Sequence, residues 1–389
     1  MKLLLNDNRT AINKANSYNK ANSYRSILTN KATPFYIACK EGHIKIAKLL
    51  LNDQRINVND AEIYGRTPFY IACQEGHIEI VKLLLNENRV DINKGSDYGS
   101  TPFYIACEKG FIEIIKLLLN DQRVDVNKAS NEATPFFTAC YYGHIEIVRL
   151  LLNDQRIDVN KANNLGQTPF YVVCANGHIE IVKLLLNDKR VKTNQTKDSG
   201  ETPFWIACEK GHIEIVKLLL NDKRININKE NKYKETPFYI ACLKHRIEVV
   251  KILLSDPRVD VNKTECRIAD LTAFSVACFH EDKQLIELLL NDERVDVNKL
   301  NNHGQTPLYR VCLSRKIETV ELLLKHNRVD IRKKNKYGKT IIDLAKKEMK
   351  ENTKWEKIFE LLESRLGMKT FFFSFLFFFP FNYFLHIIF

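Results

Sequence analysis

An all-α solenoid of stacked helix–turn–helix pairs joined by hairpin loops is the fold that this 389-residue sequence predicts. Three observations carry the prediction. A unit opening on threonine recurs, with Thr33, Thr67, Thr101, Thr134, Thr168, Thr202, Thr236, Thr272, Thr306 and Thr340 spaced by 34, 34, 33, 34, 34, 34, 36, 34 and 34 residues. Within each unit the apolar residues fall at helical spacing. A unit of that size cannot close a core alone, so neighbours must bury one another's apolar faces, which is the logic of a repeat stack.

The unit from Thr67 to Gly99 shows how each element arises. Thr67 suits an N-cap and Pro68 the first helical position, where the missing N–H costs nothing. Phe69, Ile71, Ala72 and Cys73 predict a short first helix with a small-residue face. Gly76 can stop it by adopting a left-handed conformation. Ile78, Val81, Leu84 and Leu85 then predict a second helix. The stretch NENRVDINKGSDYG is turn-rich, with Val90 and Ile92 alternating with polar residues as a short hairpin arm would.

These residues resemble the ankyrin repeat, T-P-x-x-x-A, then G-H-x-E-I-V-x-L-L-L, then D-V-N, with several elements recurring together in at least five units. Two departures run through the array. Tyr36, Tyr70, Tyr104, Tyr171 and Tyr239 stand where the family usually has His. The loop N-D-x-R-V-D-V-N is one residue longer than the family's usual form, which accounts for the dominant period of 34. The resemblance implies a non-catalytic scaffold that binds a partner protein through the concave face and loop tips.

Three segments are expected. Residues 1–31 read as a truncated half repeat with a loop insertion, residues 32–366 as the array with its C-terminal capping repeat, and residues 367–389 as a Phe-rich hydrophobic tail. Capping is read from Ile341, Ile342, Leu344 and Ala345 on one face of the last unit, opposite many Lys and Glu. The opening MKLLLNDNRT lacks a small-residue cleavage site and does not read as a secretory signal.

The net charge of +12 suggests nucleic acid until the charges are located. Residues 32–324 carry 39 basic and 39 acidic side chains, so the excess sits at the two ends. A nucleic-acid track needs Lys and Arg clustered along one face. No nucleic-acid partner is therefore expected.

Nine of the ten cysteines (Cys39, Cys73, Cys107, Cys140, Cys174, Cys208, Cys242, Cys278 and Cys312) occupy one slot per unit. Helical layers about 8–10 Å apart exceed the roughly 7 Å Cα limit for a disulfide, and no C-x-x-C pair is present for zinc. They read as small buried hydrophobes of a reducing cytosol, which sets the expected localisation as cytoplasmic. Cys266 is out of register and is expected to be exposed. His43, His77, His144, His178 and His212 all follow the glycine before the second helix, and such recurrence marks packing or capping. With no G-x-S-x-G, H-E-x-x-H, P-loop or G-x-G-x-x-G present, neither an enzyme nor a bound cofactor or metal is expected.

Recognition is sought where the units differ. The two positions after each array Cys end the first helix and, by the resemblance, face the concave surface. They run from Lys40-Glu41 and Gln74-Glu75 through Tyr141-Tyr142 to Phe279-His280 and Leu313-Ser314. Tyr offers large contact area at low entropy cost, so Tyr141 and Tyr142 are the central candidates. Glu75, Glu108, Lys109, Glu132, Asn176, Glu209 and Lys210 complete the candidate partner-binding set. Trp205, in the usual Tyr slot, leaves packing and partner contact both open. In the last three full units the Gly-His pair becomes His245-Arg246, Glu281-Asp282 and Arg315-Lys316. Non-glycine residues at a left-handed position cost about 1 kcal/mol each, so these junctions are expected to be looser or rebuilt. Weak selection is the favoured reading of this region, and the alternative is a specialised partner.

Residues 371–389 hold ten of the 22 Phe and no formal charge. As a helix of about 28 Å they could just span a bilayer core of about 30 Å. Pro380, Asn382 and His386 interrupt the run, so a translated T-rich appendage is weighed beside a tail anchor. Any membrane contact is assigned to this segment. The alternatives to a free scaffold are a tail-anchored adaptor and a regulatory part of a larger enzyme.

Overall fold

Ten threonines fix the fold's rhythm. In each described unit the threonine is extended, and its side chain accepts the backbone N–H three residues on, as Thr67 does from Tyr70 and Thr134 from Phe137 (3.1 Å each). That satisfies one of the orphan donors of a helix start. A computed structural model describes residue 13 and residues 31–130, 133–265, 270–349 and 353–367. The expected half repeat of residues 1–31 and the tail of residues 371–389 thus lie almost wholly or wholly outside the described residues, as does Cys266.

The chain divides into two compact units, residues 1–198 and 199–389. In the first, the helix pairs are α1 (Pro34–Lys40) and α2 (Ile44–Leu51), α3 (Pro68–Gln74) and α4 (Ile78–Leu85), α5 (Pro102–Lys109) and α6 (Ile112–Leu119), α7 (Pro135–Tyr142) and α8 (Ile145–Leu152), and α9 (Pro169–Asn176) and α10 (Ile179–Asn187). From α1 to α9, successive first helices of this unit pack on one another, and each packs on its own second helix.

The second unit holds α11 (Pro203–Lys210) and α12 (Ile213–Asn221), α13 (Pro237–Leu243) and α14 (Ile247–Ser255), α15 (Ala273–His280) and α16 (Lys283–Asn291), α17 (Pro307–Leu313) and α18 (Ile317–Leu324), and α19 (Ile341–Glu348) and α20 (Thr353–Arg365). Although α15 lacks the opening proline, Thr272 still accepts from the Ser275 N–H at 3.2 Å. The last pair closes the unit through α20, which packs on α18 and α19 and buries Trp355, Ile358, Phe359 and Leu362. In α19 Ile341 and Ala345 are fully buried, while Ile342 and Leu344 are half-buried.

Within each unit the core is one layer repeated. Phe69, Phe103, Phe136 and Phe170 are at most 1% exposed, and the nine array cysteines are free and buried. Burial pushes the Cys39 thiol up to about 12 and raises the others in the same direction.

The loops differ from a strand hairpin. Val90 and Ile92 are buried as their alternation implies, but among the described residues no strand forms, and the only β-pairing is the single bridge Ser130–Ala133. Instead the tip closes on itself, with the Ser96 N–H on the Ser100 carbonyl (2.9 Å) and the Gly99 N–H on the Ser96 carbonyl (2.8 Å).

Side chains then tie each loop to its neighbours. Asn93 donates to the Arg123 carbonyl (2.7 Å) and accepts from the Asp125 N–H (2.8 Å), and Asn59, Asn127, Asn262 and Asn298 repeat this pattern. Beside it Asp154 and Arg156 pair at 2.6 Å, and the same guanidinium donates to the Leu119 carbonyl of the preceding unit at 2.8 Å. Arg190 repeats the bond to Leu152, and Arg258 to Leu220, at 2.7 Å. A cation on the terminal carbonyls of a helix also meets the negative end of its dipole.

Candidate partner-binding surface

The glycine that ends a first helix and the histidine that follows it serve two neighbouring units at once. Gly143 has φ 76°, and a Cβ placed there would lie 2.7 Å from the His178 ring of the next unit. That ring donates through Nε2 to the Tyr141 carbonyl at 3.1 Å. His77 does the same to Lys40 at 2.7 Å, and His144 to Glu108 at 3.0 Å. These recurrent histidines are cross-unit caps.

This capping places the tyrosine pair. The Tyr141 carbonyl, at the end of α7, also accepts from Asn176 Nδ2 at 3.0 Å, so the next unit holds it by two bonds. The Tyr141 and Tyr142 rings meet edge to face at 5.1 Å, and Tyr142 stacks on His144 at 6.0 Å. Even so, Tyr141 is 49% and Tyr142 53% exposed. Partial desolvation, followed by the charge of Glu108, raises the Tyr142 hydroxyl pKa.

The first-helix ends of the first unit bring Glu75, Glu108, Lys109, Tyr141, Tyr142 and Asn176 onto successive packed helices. Glu75 is exposed and accepts from Gln74 at 2.8 Å. Glu108 is half-buried, 4.0 Å from the exposed Lys109 ammonium. Glu132 lies outside the described residues. In the second unit Lys210 is exposed, while Glu209 is half-buried with its carboxylate 4.0 Å from Lys244 and its carbonyl accepting from Arg246 at 2.8 Å.

Trp205, left open by the sequence, is packed. It is 4% exposed and its indole N–H donates to the Glu235 carbonyl at 3.1 Å.

The degraded junctions are rebuilt and keep the original geometry. His245, Glu281 and Arg315 retain positive φ of 55°, 60° and 54°. Arg246 replaces the capping histidine on Glu209, and Lys316 replaces it on the Phe279 carbonyl at 2.5 Å. Asp282 caps α16 through the Leu285 N–H at 3.0 Å and pairs with His245 at 2.7 Å.

Sequence reasoning missed the Asp–Arg clasp and the asparagine bonds, although an acidic residue two positions before Arg recurs in most loops and signalled them. Two grooves of about 580 and 620 Å³ run beside the second helices of the first unit, where Glu79 pairs with Lys82 (2.8 Å) and Glu113 with Lys116 (2.7 Å) on their own helices. These carboxylates therefore face lysines and do not converge as an acid–base pair would. Among the described residues no cluster of His, Cys, Asp and Glu could hold a metal ion, and no helix is long and apolar enough to cross a membrane.

A search of the curated proteins found no match. The family model for ankyrin repeats, three copies long, matches at residues 1–96, 35–130, 103–197, 170–265 and 270–361. Ankyrin repeats are generally protein–protein interaction modules and typically non-catalytic. With its Thr-capped helix pairs, left-handed glycines and stacked first helices, this chain belongs to the ankyrin repeat family.

Proposed function

We propose that this protein is a non-catalytic scaffold that captures a partner protein on the first-helix ends of its array, with Tyr141 and Tyr142 as the anchor. The observation that carries this reading is the tyrosine pair itself, about half exposed yet held by Asn176, His178 and His144. An aromatic pair fixed before binding loses little conformational freedom on docking and offers a large contact area. Glu75, Glu108, Lys109 and Asn176 flank it and supply a polar rim. Glu132, Glu209 and Lys210 belong to the same proposal on their position in the sequence.

The test is capture of partners from extract by the full chain and by a chain carrying Tyr141→Ala with Tyr142→Ala. Both side chains are exposed, so the thermal melt should stay nearly unchanged while capture falls by about tenfold or more, as for hot-spot truncation. Equal capture by both chains removes the anchor. The cytoplasmic location remains part of this proposal and rests on the row of reduced, buried thiols. Fractionating the full chain and one ending at Gly367, with an alkaline membrane wash, separates a free scaffold from a tail-anchored one.

A further inference from the structure

Several departures from the repeat meet at one place in the second unit. Arg310 occupies the first-helix slot that elsewhere holds the buried Ile71, Ile105, Val172, Ile206 and Ile240. Its guanidinium lies 5.6 Å from the centroid of the Phe279 ring, and the Lys316 ammonium lies 4.9 Å from the same ring. Lys316 also donates to the Phe279 carbonyl (2.5 Å) and to the Glu281 carboxylate (2.9 Å). Phe279 is thus fixed by two cations of the next unit, a cation–π arrangement. It nonetheless stays 42% exposed, as does Leu313 at the end of α17.

The charge around this step is not balanced. Glu281 is engaged by Lys316, and Asp282 by His245 and the Leu285 N–H. Among the described residues neither Arg310 nor Arg315 has a carboxylate partner. A fixed aromatic ring, an exposed leucine and two guanidiniums without a carboxylate partner therefore lie on, or just beyond, two adjacent helices, α15 and α17, which pack together.

We infer that this patch is a second docking surface, built for an acidic peptide segment of a partner protein that carries an apolar side chain. The apolar side chain packs against Phe279 and Leu313, and the carboxylates pair with Arg310 and Arg315 in charge-assisted hydrogen bonds. The array favours a peptide over a nucleic acid, because residues 32–324 are neutral overall and two guanidiniums are too few to make a track. Pairing of this kind accelerates association and selects partners by charge. The inference rests on the scaffold reading but uses none of its anchor residues.

The test is fluorescence anisotropy on the full chain, with a labelled Glu- and Asp-rich peptide containing Phe and Leu as probe and its Lys-rich counterpart as control. The acidic peptide is expected to bind more weakly as salt rises, and the basic one not to bind. Arg310→Glu with Arg315→Glu, and separately Phe279→Ala, should each lower affinity by about tenfold or more, with the thermal melt confirming that each variant folds. Tyr141→Ala with Tyr142→Ala should bind the probe as the unaltered chain does. Absence of acidic-peptide binding, equal binding of both peptides, or indifference to the charge reversal overturns the inference. So does binding of a single-stranded oligonucleotide or an anionic vesicle through the same arginines with Phe279 dispensable. Loss of partner capture in the tyrosine variant alongside failure of the peptide test would leave the scaffold reading standing and remove this one.

Discussion

The carbonyl oxygen of Tyr141 lies 3.1 Å from Nε2 of His178, so the end of one repeat's first helix is held by the start of the next repeat's second helix. The bond joins scaffold and site, because the residue it fixes belongs to the candidate anchor. His178→Ala should lower stability by about 1 kcal/mol, the usual net worth of one hydrogen bond. Gly143→Ala should cost at least as much, since φ is 76° and the added methyl meets His178 at 2.7 Å. In the double variant that collision is gone, so the two losses should not add. Denaturant melts of the four chains measure the cycle, and strict additivity would show that Gly143 and His178 are independent.

Asn127 donates to the Arg156 carbonyl at 2.6 Å and accepts from the Asp158 N–H at 2.9 Å. Asn127→Ala removes both bonds and should cost about 1–3 kcal/mol. The Asp158 amide should lose hydrogen-exchange protection. Unchanged protection would mean the asparagine reports the loop's shape without holding it.

The Asp–Arg clasp gives a pH dependence of definite sign. A hydrogen bond from Arg55 pulls Asp53 down to about 2, and Asp154 and Asp188 are lowered in the same way by Arg156 and Arg190. A carboxylate depressed by folding contributes stability that is fully present above its unfolded pKa, about 4. That stability is lost as pH falls through the folded value. The melting temperature should therefore drop between about pH 4 and about pH 2, and less steeply when Arg156→Gln and Arg190→Gln are combined. The loss should be modest, since these pairs are partly solvated. Equal slopes in both chains would assign acid sensitivity to other carboxylates.

The array cysteines should be chemically silent. Cys140 is fully buried and desolvation raises its pKa, so the nucleophilic thiolate is scarce. In a Cys266→Ser chain, a thiol reagent should react with the remaining cysteines only as fast as the repeats open. Cys140→Ser should cost about 1–3 kcal/mol by burying a hydroxyl in an apolar layer, and Cys140→Ala less. Rapid native labelling would contradict the packing described.

Much of the fold was legible because its signals are local. Thr67, Pro68 and Gly76 act within one turn of their own helix, and each does what its side chain dictates. The exposed Tyr141-Tyr142 step could be read in the same way, because two adjacent tyrosines stand at positions that hold no tyrosine in the other units. What could not be read depends on neighbours a whole repeat away. The loop of Val90 and Ile92 gave the right buried side chains but no strand, since its backbone bonds close within the tip and its side chains bond to adjacent loops. Trp205 was ambiguous until the Glu235 carbonyl supplied its partner. The last repeats lack the Gly-His pair, yet Arg246, Asp282 and Lys316 rebuild each junction with long or charged side chains.

Hydroxyl-radical footprinting of the full chain, alone and saturated with a captured partner, tests the scaffold reading most directly. Tyr141 and Tyr142 should lose most of their oxidation on binding, while Tyr98 and Tyr337, exposed at 63% and 74% on loops, should keep theirs. Undiminished oxidation of Tyr141 and Tyr142 in the complex would contradict the account.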